Sequence, residues 1–198
     1  MGLWILIAVC GYLFGSISSA VLLSKKLFRE DVRAKGSGNA GATNMARVYG
    51  MLPGILAFLC DFAKTVAAMG LGLLLDGSLG MSIGGAACVI GHCWPVFFQM
   101  RGGKGVSVGA MVALMIDWRI FLLLLVIFFG TFALTKIVSV CSLTVAVVLP
   151  VAAIVLQQPV PEMALAIFTG ALVIFQHRSN VGRLLRGEEK KFAPKSKG

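Results

Sequence analysis

The sequence predicts an all-α integral membrane protein with seven transmembrane helices, its N-terminus outside, its C-terminus cytoplasmic, and two short central spans. Two observations carry this expectation. Of the 198 residues, 58% are hydrophobic and only 13% are charged, whereas soluble domains carry about 25% charged residues. Mean hydropathy is correspondingly high, at +0.92. The charges are also bunched, so that Lys and Arg collect in a few short segments between apolar stretches that approach the roughly 20 residues a spanning helix needs.

The elements follow in order. Gly2 to Ser24 carries no charge and is followed by Lys25 and Lys26. It lacks the positive n-region of a leader peptide and ends in a stop-transfer pair, so it reads as an anchor. Further spans are expected over Leu52 to Leu75, Leu79 to His92, Gly105 to Ile116, Trp118 to Thr135, Ile137 to Leu156 and Pro161 to Gln176, the third and fourth of the seven being short. The chain reads as a single domain over 1–198 with a flexible basic tail over 190–198.

Orientation follows from the positive charges. Lys25, Lys26, Arg29, Arg33, Lys35 and Arg47 fall in the first loop, Arg101 and Lys104 in the third, Lys136 in the fifth, and Arg178, Arg183, Arg186, Lys190, Lys191, Lys195 and Lys197 at the C-terminal end. These segments share one face, and the other face holds only Asp76, Asp117, Arg119 and Glu162. The basic face is therefore expected to be cytoplasmic. Most of the net charge of +10 is thereby topogenic and calls for no nucleic acid, although the tail also suits anionic headgroups, at about 1 kcal/mol per basic residue near the surface. Cys10, Cys60, Cys88 and Cys141 fall within spans and Cys93 at a helix end, without paired spacing. Neither a metal site nor a disulfide framework is indicated.

Three polar clusters remain, all on the basic face: GSGNAGATNMAR (36–47), GHCWPVFFQMRGGKGVSVG (91–109) and HRSNVGRLLRGEEKK (177–191). Loops that only connect helices do not need this chemistry. Each cluster joins glycines, which let backbone N–H groups approach an anion, to Arg or Lys and to neutral hydrogen-bonding groups. In the first, Gly36, Ser37, Gly38, Asn39, Thr43 and Asn44 precede Arg47. A helix cap would use one of these polar residues, not four. In the second, His92 precedes Gly102, Gly103, Lys104 and Gly105, where glycine amides, a lysine and a helix N-terminus suit a phosphoryl group. In the third, His177 and Asn180 are spaced to share a helical face, with Arg183 and Glu189 beyond them.

Two nucleotide motifs are excluded. GSGNAG fits a dinucleotide fingerprint in spacing, but the octet before it, FREDVRAK, carries five charges and cannot be the buried strand that fingerprint requires. In RGGKG the Walker pattern fails twice, with Phe98 in place of the first glycine and Gly105 in place of the magnesium-binding hydroxyl. No nucleotide, Mg²⁺ or other cofactor is implied.

Taken together, the three clusters resemble the signature motifs of the bacterial acyl-phosphate-dependent glycerol-3-phosphate acyltransferases, the PlsY type. Asp61 and Lys64 in DFAK match the family's Asp-x-x-Lys, with Thr65 where glycine is usual, and the resemblance covers essentially the whole chain. It implies transfer of a fatty acyl group from acyl phosphate to the sn-1 hydroxyl of glycerol 3-phosphate, giving lysophosphatidic acid and inorganic phosphate, as a step of phospholipid biosynthesis at the cytoplasmic face of the bacterial inner membrane. On this resemblance Ser37, Lys104, His177 and Asn180 are the expected catalytic residues. Gly36, Gly38, Asn39, Thr43, Asn44, Arg47, His92, Gly102, Gly103, Gly105 and Arg183 are the expected substrate and phosphate contacts, and Asp61, Lys64 and Glu189 the expected supports. The implied partners are glycerol 3-phosphate, acyl phosphate and membrane lipid, and a monomer is compatible with them. The His-x-x-x-x-Asp pattern of soluble acyltransferases is missing, since Phe97 and Gly182 stand where the carboxylate would follow His92 and His177. The alternative class is a small phosphate-ester transporter or channel component. One-sided polar clusters and the lack of an inverted repeat disfavour it.

Overall fold

The structure is a computed structural model describing residues 1–193; Pro194 to Gly198, and with them most of the expected basic tail, lie outside the described residues. Every regular element among the described residues is helical. In chain order these are α1 (Gly2–Gly15), α2 (Ser19–Phe28), α3 (Ala42–Tyr49), α4 (Met51–Cys93), α5 (Val106–Ile116), α6 (Trp118–Thr135), α7 (Val138–Val155), α8 (Val160–Gln176) and α9 (Arg178–Leu185). Among the described residues four helical runs are long and apolar enough to cross a membrane, over Gly2–Phe28, Met51–Phe98, Trp118–Thr135 and Val138–Val155, and α8 with α9 forms a further pair bent by 55°.

The long α4 is two limbs. Its helical backbone is interrupted at Asp76 and Gly77, and the chain folds back there. A Cβ on Gly72 would lie 2.1 Å from the Gly80 carbonyl oxygen, so the limbs touch backbone to backbone. Such closeness is what glycine supplies between helices in lipid, where dispersion takes the place of hydrophobic drive. The second limb, 78–93, runs alongside α1 in the same direction. Trp4 donates to Asp76 at 2.8 Å at one end, and the Tyr12 hydroxyl donates to the Trp94 carbonyl at 2.9 Å at the other.

The first expected span proves to be two helices. The break falls at Ser16–Ser18, between α1 and α2, and its physical reason is Lys64. The ammonium bonds the Gly15 carbonyl at 3.1 Å and the Ile17 carbonyl at 2.8 Å, satisfying backbone groups that a break in an apolar region would leave orphaned. A second freed carbonyl belongs to Ala146, because Pro150 in α7 has no N–H to return to it. Gly170 of α8 packs against that oxygen.

The short α5 is about 16 Å long at 1.5 Å per residue, roughly half the thickness of a hydrocarbon core. The packing around it shapes the site. One apolar cluster joins Val108 and Val112 of α5 to Met69, Cys88, Val89 and Leu165, and another joins Ala113 to Ile120, Leu124, Leu149 and Ala166. The rest of the α5 length is bordered by a cavity. The outer surface remains apolar, with Leu74, Val126, Leu134 and Val155 exposed.

Candidate active site

A cavity of about 750 Å³ opens between the polar clusters and runs down among α4, α5, α6, α7 and α8. Its body is apolar, lined by Phe58, Phe121, Leu125, Phe128, Ala146 and Leu149 among others, and its mouth carries the polar residues. Of the residues expected from sequence, Gly36, Ser37, Asn39, Thr43, Asn44, Arg47, His92, Lys104, His177, Asn180, Arg183 and Glu189 line it. The three clusters converge although more than forty residues separate each from the next in sequence.

The first cluster is a loop held open by one side chain. Asn44 accepts from the Ser37 backbone N–H at 2.9 Å and donates to the carbonyls of Val32, Lys35 and Asn39 at 3.0–3.1 Å. Its amide is thus spent on the loop, and Asn44 shapes the site rather than offering a free group to a substrate. Gly36 and Gly38 have positive φ, and a Cβ on Gly36 would strike the Asn44 oxygen. Gly41 starts α3 with no side-chain cap, so Ser37, Asn39, Thr43 and Asn44 serve no capping role there. Ser37 and Arg47 are left facing the cavity.

The second cluster differs from expectation. Gly102 donates its N–H to the Cys93 carbonyl and Gly103 to the His92 carbonyl, at 3.2 and 3.0 Å. These amides are not available to a phosphoryl group. The two glycines are there for close packing: a Cβ on Gly102 would lie 2.0 Å from the His92 carbonyl oxygen, and one on Gly103 would lie 2.1 Å from His92 Nε2. Gly105, with φ +84°, is the turn into α5. Arg33 braces this loop against the first, donating to the carbonyls of Phe98 and Arg101 at 2.8 and 3.2 Å, while its own guanidinium pairs with Asp31. In sequence Arg33 is indistinguishable from the other positive charges that set topology.

Lys104 projects from this loop and donates to Asn180 Oδ1. Burial, and then the charge of Arg183, draw the Lys104 ammonium down to about 8. Asn180 in turn donates to Glu189 at 2.6 Å, and Glu189 also accepts from Ser139 at 2.8 Å and Arg183 at 2.6 Å. Burial opposes ionisation of Glu189, but those three hydrogen bonds prevail and hold its carboxyl below the usual range. Glu189 thus ties α7, α9 and the C-terminal segment together. That segment returns over the cavity: Phe192 donates its N–H to the Lys136 carbonyl at 2.7 Å, and its ring lies 6.1 Å from Phe132 and 6.0 Å below the Arg47 guanidinium.

His177 sits in the bend between α8 and α9, with Nδ1 2.8 Å from the Val173 carbonyl. Burial is the main cause that lowers its imidazole to about 4, so it is neutral at physiological pH. Beneath the mouth lies a buried polar network that the sequence shows only as DFAK. Asp61 meets Lys64 at 2.9 Å and accepts from Ser19 at 2.9 Å and Ser107 at 2.6 Å. Lys64 also reaches His92 Nδ1 at 3.1 Å.

Comparison with known proteins points to one family. The family model described as glycerol-3-phosphate acyltransferase matches residues 5–187. A glycerol-3-phosphate acyltransferase of Shouchella clausii is 38% identical over 192 residues, 93% of this chain and 94% of the relative. One from Thermoanaerobacter pseudethanolicus is also 38% identical, with 97% of each chain covered. Two crystal structures of PlsY (YgiH), an integral membrane glycerol 3-phosphate acyltransferase, superpose closely. The glycerol 3-phosphate form gives a TM-score of 0.90 at 34% identity, covering 96% of both chains. The lysophosphatidic acid form gives 0.88 at 33%, covering 96% of this chain and 95% of that one. The chain therefore belongs to the glycerol-3-phosphate acyltransferase family, and is an integral membrane acyltransferase of the PlsY type.

Proposed function

We propose that the protein transfers a fatty acyl group from acyl phosphate to the sn-1 hydroxyl of glycerol 3-phosphate, releasing lysophosphatidic acid and inorganic phosphate. The observation that carries this reading is that one cavity combines a cationic mouth with an apolar body. One end suits two phosphoryl groups, and the other suits a fatty chain. Lys104, Arg47 and Arg183 offset the phosphoryl charge by charge-assisted hydrogen bonds. Gly36, Gly38 and Gly105 serve the turns that hold these cations, and Asn39 and Thr43 add neutral contacts at the rim.

In the reaction the glycerol hydroxyl oxygen attacks the acyl carbonyl carbon, the bond from that carbon to the phosphate oxygen breaks, and the hydroxyl proton passes to a phosphate oxygen. The His177 geometry supports this assignment. Its imidazole is held by a backbone carbonyl and not by a carboxylate, and an imidazole lowered to about 4 is a weak base. His177 and Asn180 orient glycerol 3-phosphate, Ser37 positions the reacting groups, and Lys104 stabilises the departing phosphate. Topologically, α1, the two limbs of α4, α5, α6, α7 and α8 are read as seven crossings of the bacterial inner membrane, with the mouth in the cytoplasm. The test is turnover by purified protein in detergent, supplied with acyl phosphate and labelled glycerol 3-phosphate. Lysophosphatidic acid formed in step with phosphate supports the reading. Acyl transfer only from a thioester donor would refute the donor, and no transfer without a membrane gradient would favour a transporter.

A further inference from the structure

The chain has two histidines, and both line the cavity. At His177 the partner of Nδ1 is the Val173 carbonyl, 2.8 Å away. A carbonyl only accepts, so Nδ1 carries the proton and Nε2 presents a lone pair. At His92 the logic reverses. Its Nδ1 stands 3.1 Å from Lys64 Nζ, and an ammonium only donates. Nδ1 is therefore the acceptor, and the neutral ring carries its proton on Nε2.

Lys64 cannot turn away from this duty. Its Nζ also lies 2.8 to 3.1 Å from the Gly15 and Ile17 carbonyls and Asp61 Oδ1, so that with His92 Nδ1 four acceptors share its three N–H groups. Asp61 in turn is fixed by Ser19 and Ser107. Asp61 Oδ1 lies 3.6 Å from His92 Nδ1, farther than Lys64 Nζ at 3.1 Å, so the ammonium is the nearer partner of that nitrogen. At the far side of the ring Nε2 abuts Gly103, the residue before Lys104, and His92 lines the cavity.

We infer that Lys64, held in place by Asp61, fixes His92 as its Nε2–H tautomer and so makes it a neutral hydrogen-bond donor in the cavity wall, the counterpart of the acceptor His177. This rests on the acyl-transfer reading. The acyl carbonyl oxygen gains negative charge as the hydroxyl attacks, and a fixed neutral donor strengthens towards it as the charge develops. His92 keeps its proton throughout. Asp61 and Lys64 are positioning residues that act through His92.

The tautomers are directly measurable. In ¹⁵N-labelled protein in micelles at pH 7 only two imidazoles resonate, and His177→Gln removes one set. We expect one ring in the Nε2–H form and the other in the Nδ1–H form, with His92 becoming a mixture in Lys64→Met. Both rings in the same form, or an unchanged His92 in folded Lys64→Met, would overturn the inference. Kinetics give an independent arm: His92→Phe and Lys64→Met should each lower kcat by about 10²-fold with the KM for glycerol 3-phosphate little changed. The double variant should be no slower than His92→Phe alone. Losses that multiply would mean that Lys64 acts structurally and not through His92. The wild-type spectrum decides the tautomers even if Lys64→Met fails to fold, and it is independent of which substrates the enzyme uses.

Discussion

Lys104 is the cation on which the proposed chemistry leans most, and its environment makes it the one most exposed to pH. Burial beside Arg183 lowers it to about 8, so the free enzyme carries the needed charge below that pH and loses it above. We expect kcat/KM to be level below pH 8 and to fall towards tenfold per unit above it, because kcat/KM reports the free enzyme. A bound phosphoryl group stabilises the ammonium, so the corresponding limb in kcat lies at higher pH. Lys104→Arg should abolish the limb within the accessible range, and an unshifted limb in that variant would assign it elsewhere. Lys104→Ala and Arg47→Ala should each cost at least about two orders of magnitude in turnover, roughly 2.7 kcal/mol; near-normal kinetics in folded variants would make both residues topogenic only. His177→Gln should mainly raise the KM for glycerol 3-phosphate. A kcat reduced to background with binding intact would make His177 the base. At this scale the sequence was a good guide to charge and a poor one to amides. Lys104, Arg47, Asn180 and His177 announce themselves by type and spacing, whereas Gly102 and Gly103 look like a phosphate cradle and are packing residues for His92. Nothing local to GGKG tells which carbonyls its N–H groups meet.

At the level of elements, apolar length and charge mark α6, α7 and α8 to within a residue or two, since lipid tolerates no other pattern. They also separate the two limbs of α4 at Asp76 and Gly77. What they miss is the break between α1 and α2. The residues around Ser16 to Ser18 look like small packing residues, and the group that satisfies the broken backbone, Lys64, is 47 residues away from Ile17. A tertiary contact supports a local irregularity that has no local signature. The α4 hairpin gives a prediction of its own. A Cβ on Gly72 would meet the Gly80 backbone at 2.1 Å, while one on Gly70 would meet nothing within 4 Å. Gly72→Ala should therefore force the limbs apart and destabilise by about 1–3 kcal/mol, as overpacking does, and Gly70→Ala should be neutral. Thermal unfolding in one detergent, compared across the two variants, checks this. Equal Tm values would mean that the limbs do not pack through these glycines.

On the scale of the whole molecule, the two ends of the bundle differ in charge. One end gathers Trp4 with Asp76, Ser78 with Glu162, and Asp117 with Arg119 and Gln158. The other gathers the three clusters, with Arg33 on the Phe98–Arg101 turn, Lys104 on Asn180, and the Lys136 carbonyl on the returning C-terminal segment. Positive charge in short loops is retained on the cytoplasmic side, and glycerol 3-phosphate is soluble, so orientation and substrate supply ask for the same arrangement. If the cationic end faces the cytoplasm, a reporter active only there should work when fused after Gly198. A reporter active only outside should work when inserted near Asp76 or near Asp117. Each fusion samples one end of a different helix pair, so agreement among the three would establish the orientation and an odd number of crossings between the first insertion and the C-terminus. The inverse pattern would place the mouth outside, away from a cytoplasmic pool of phosphorylated substrate, and both the orientation and the proposed reaction would have to be abandoned together. A mixed pattern, with Asp76 outside and Asp117 inside, would instead mean that α5, only 11 residues long, enters from the cytoplasm and returns without crossing.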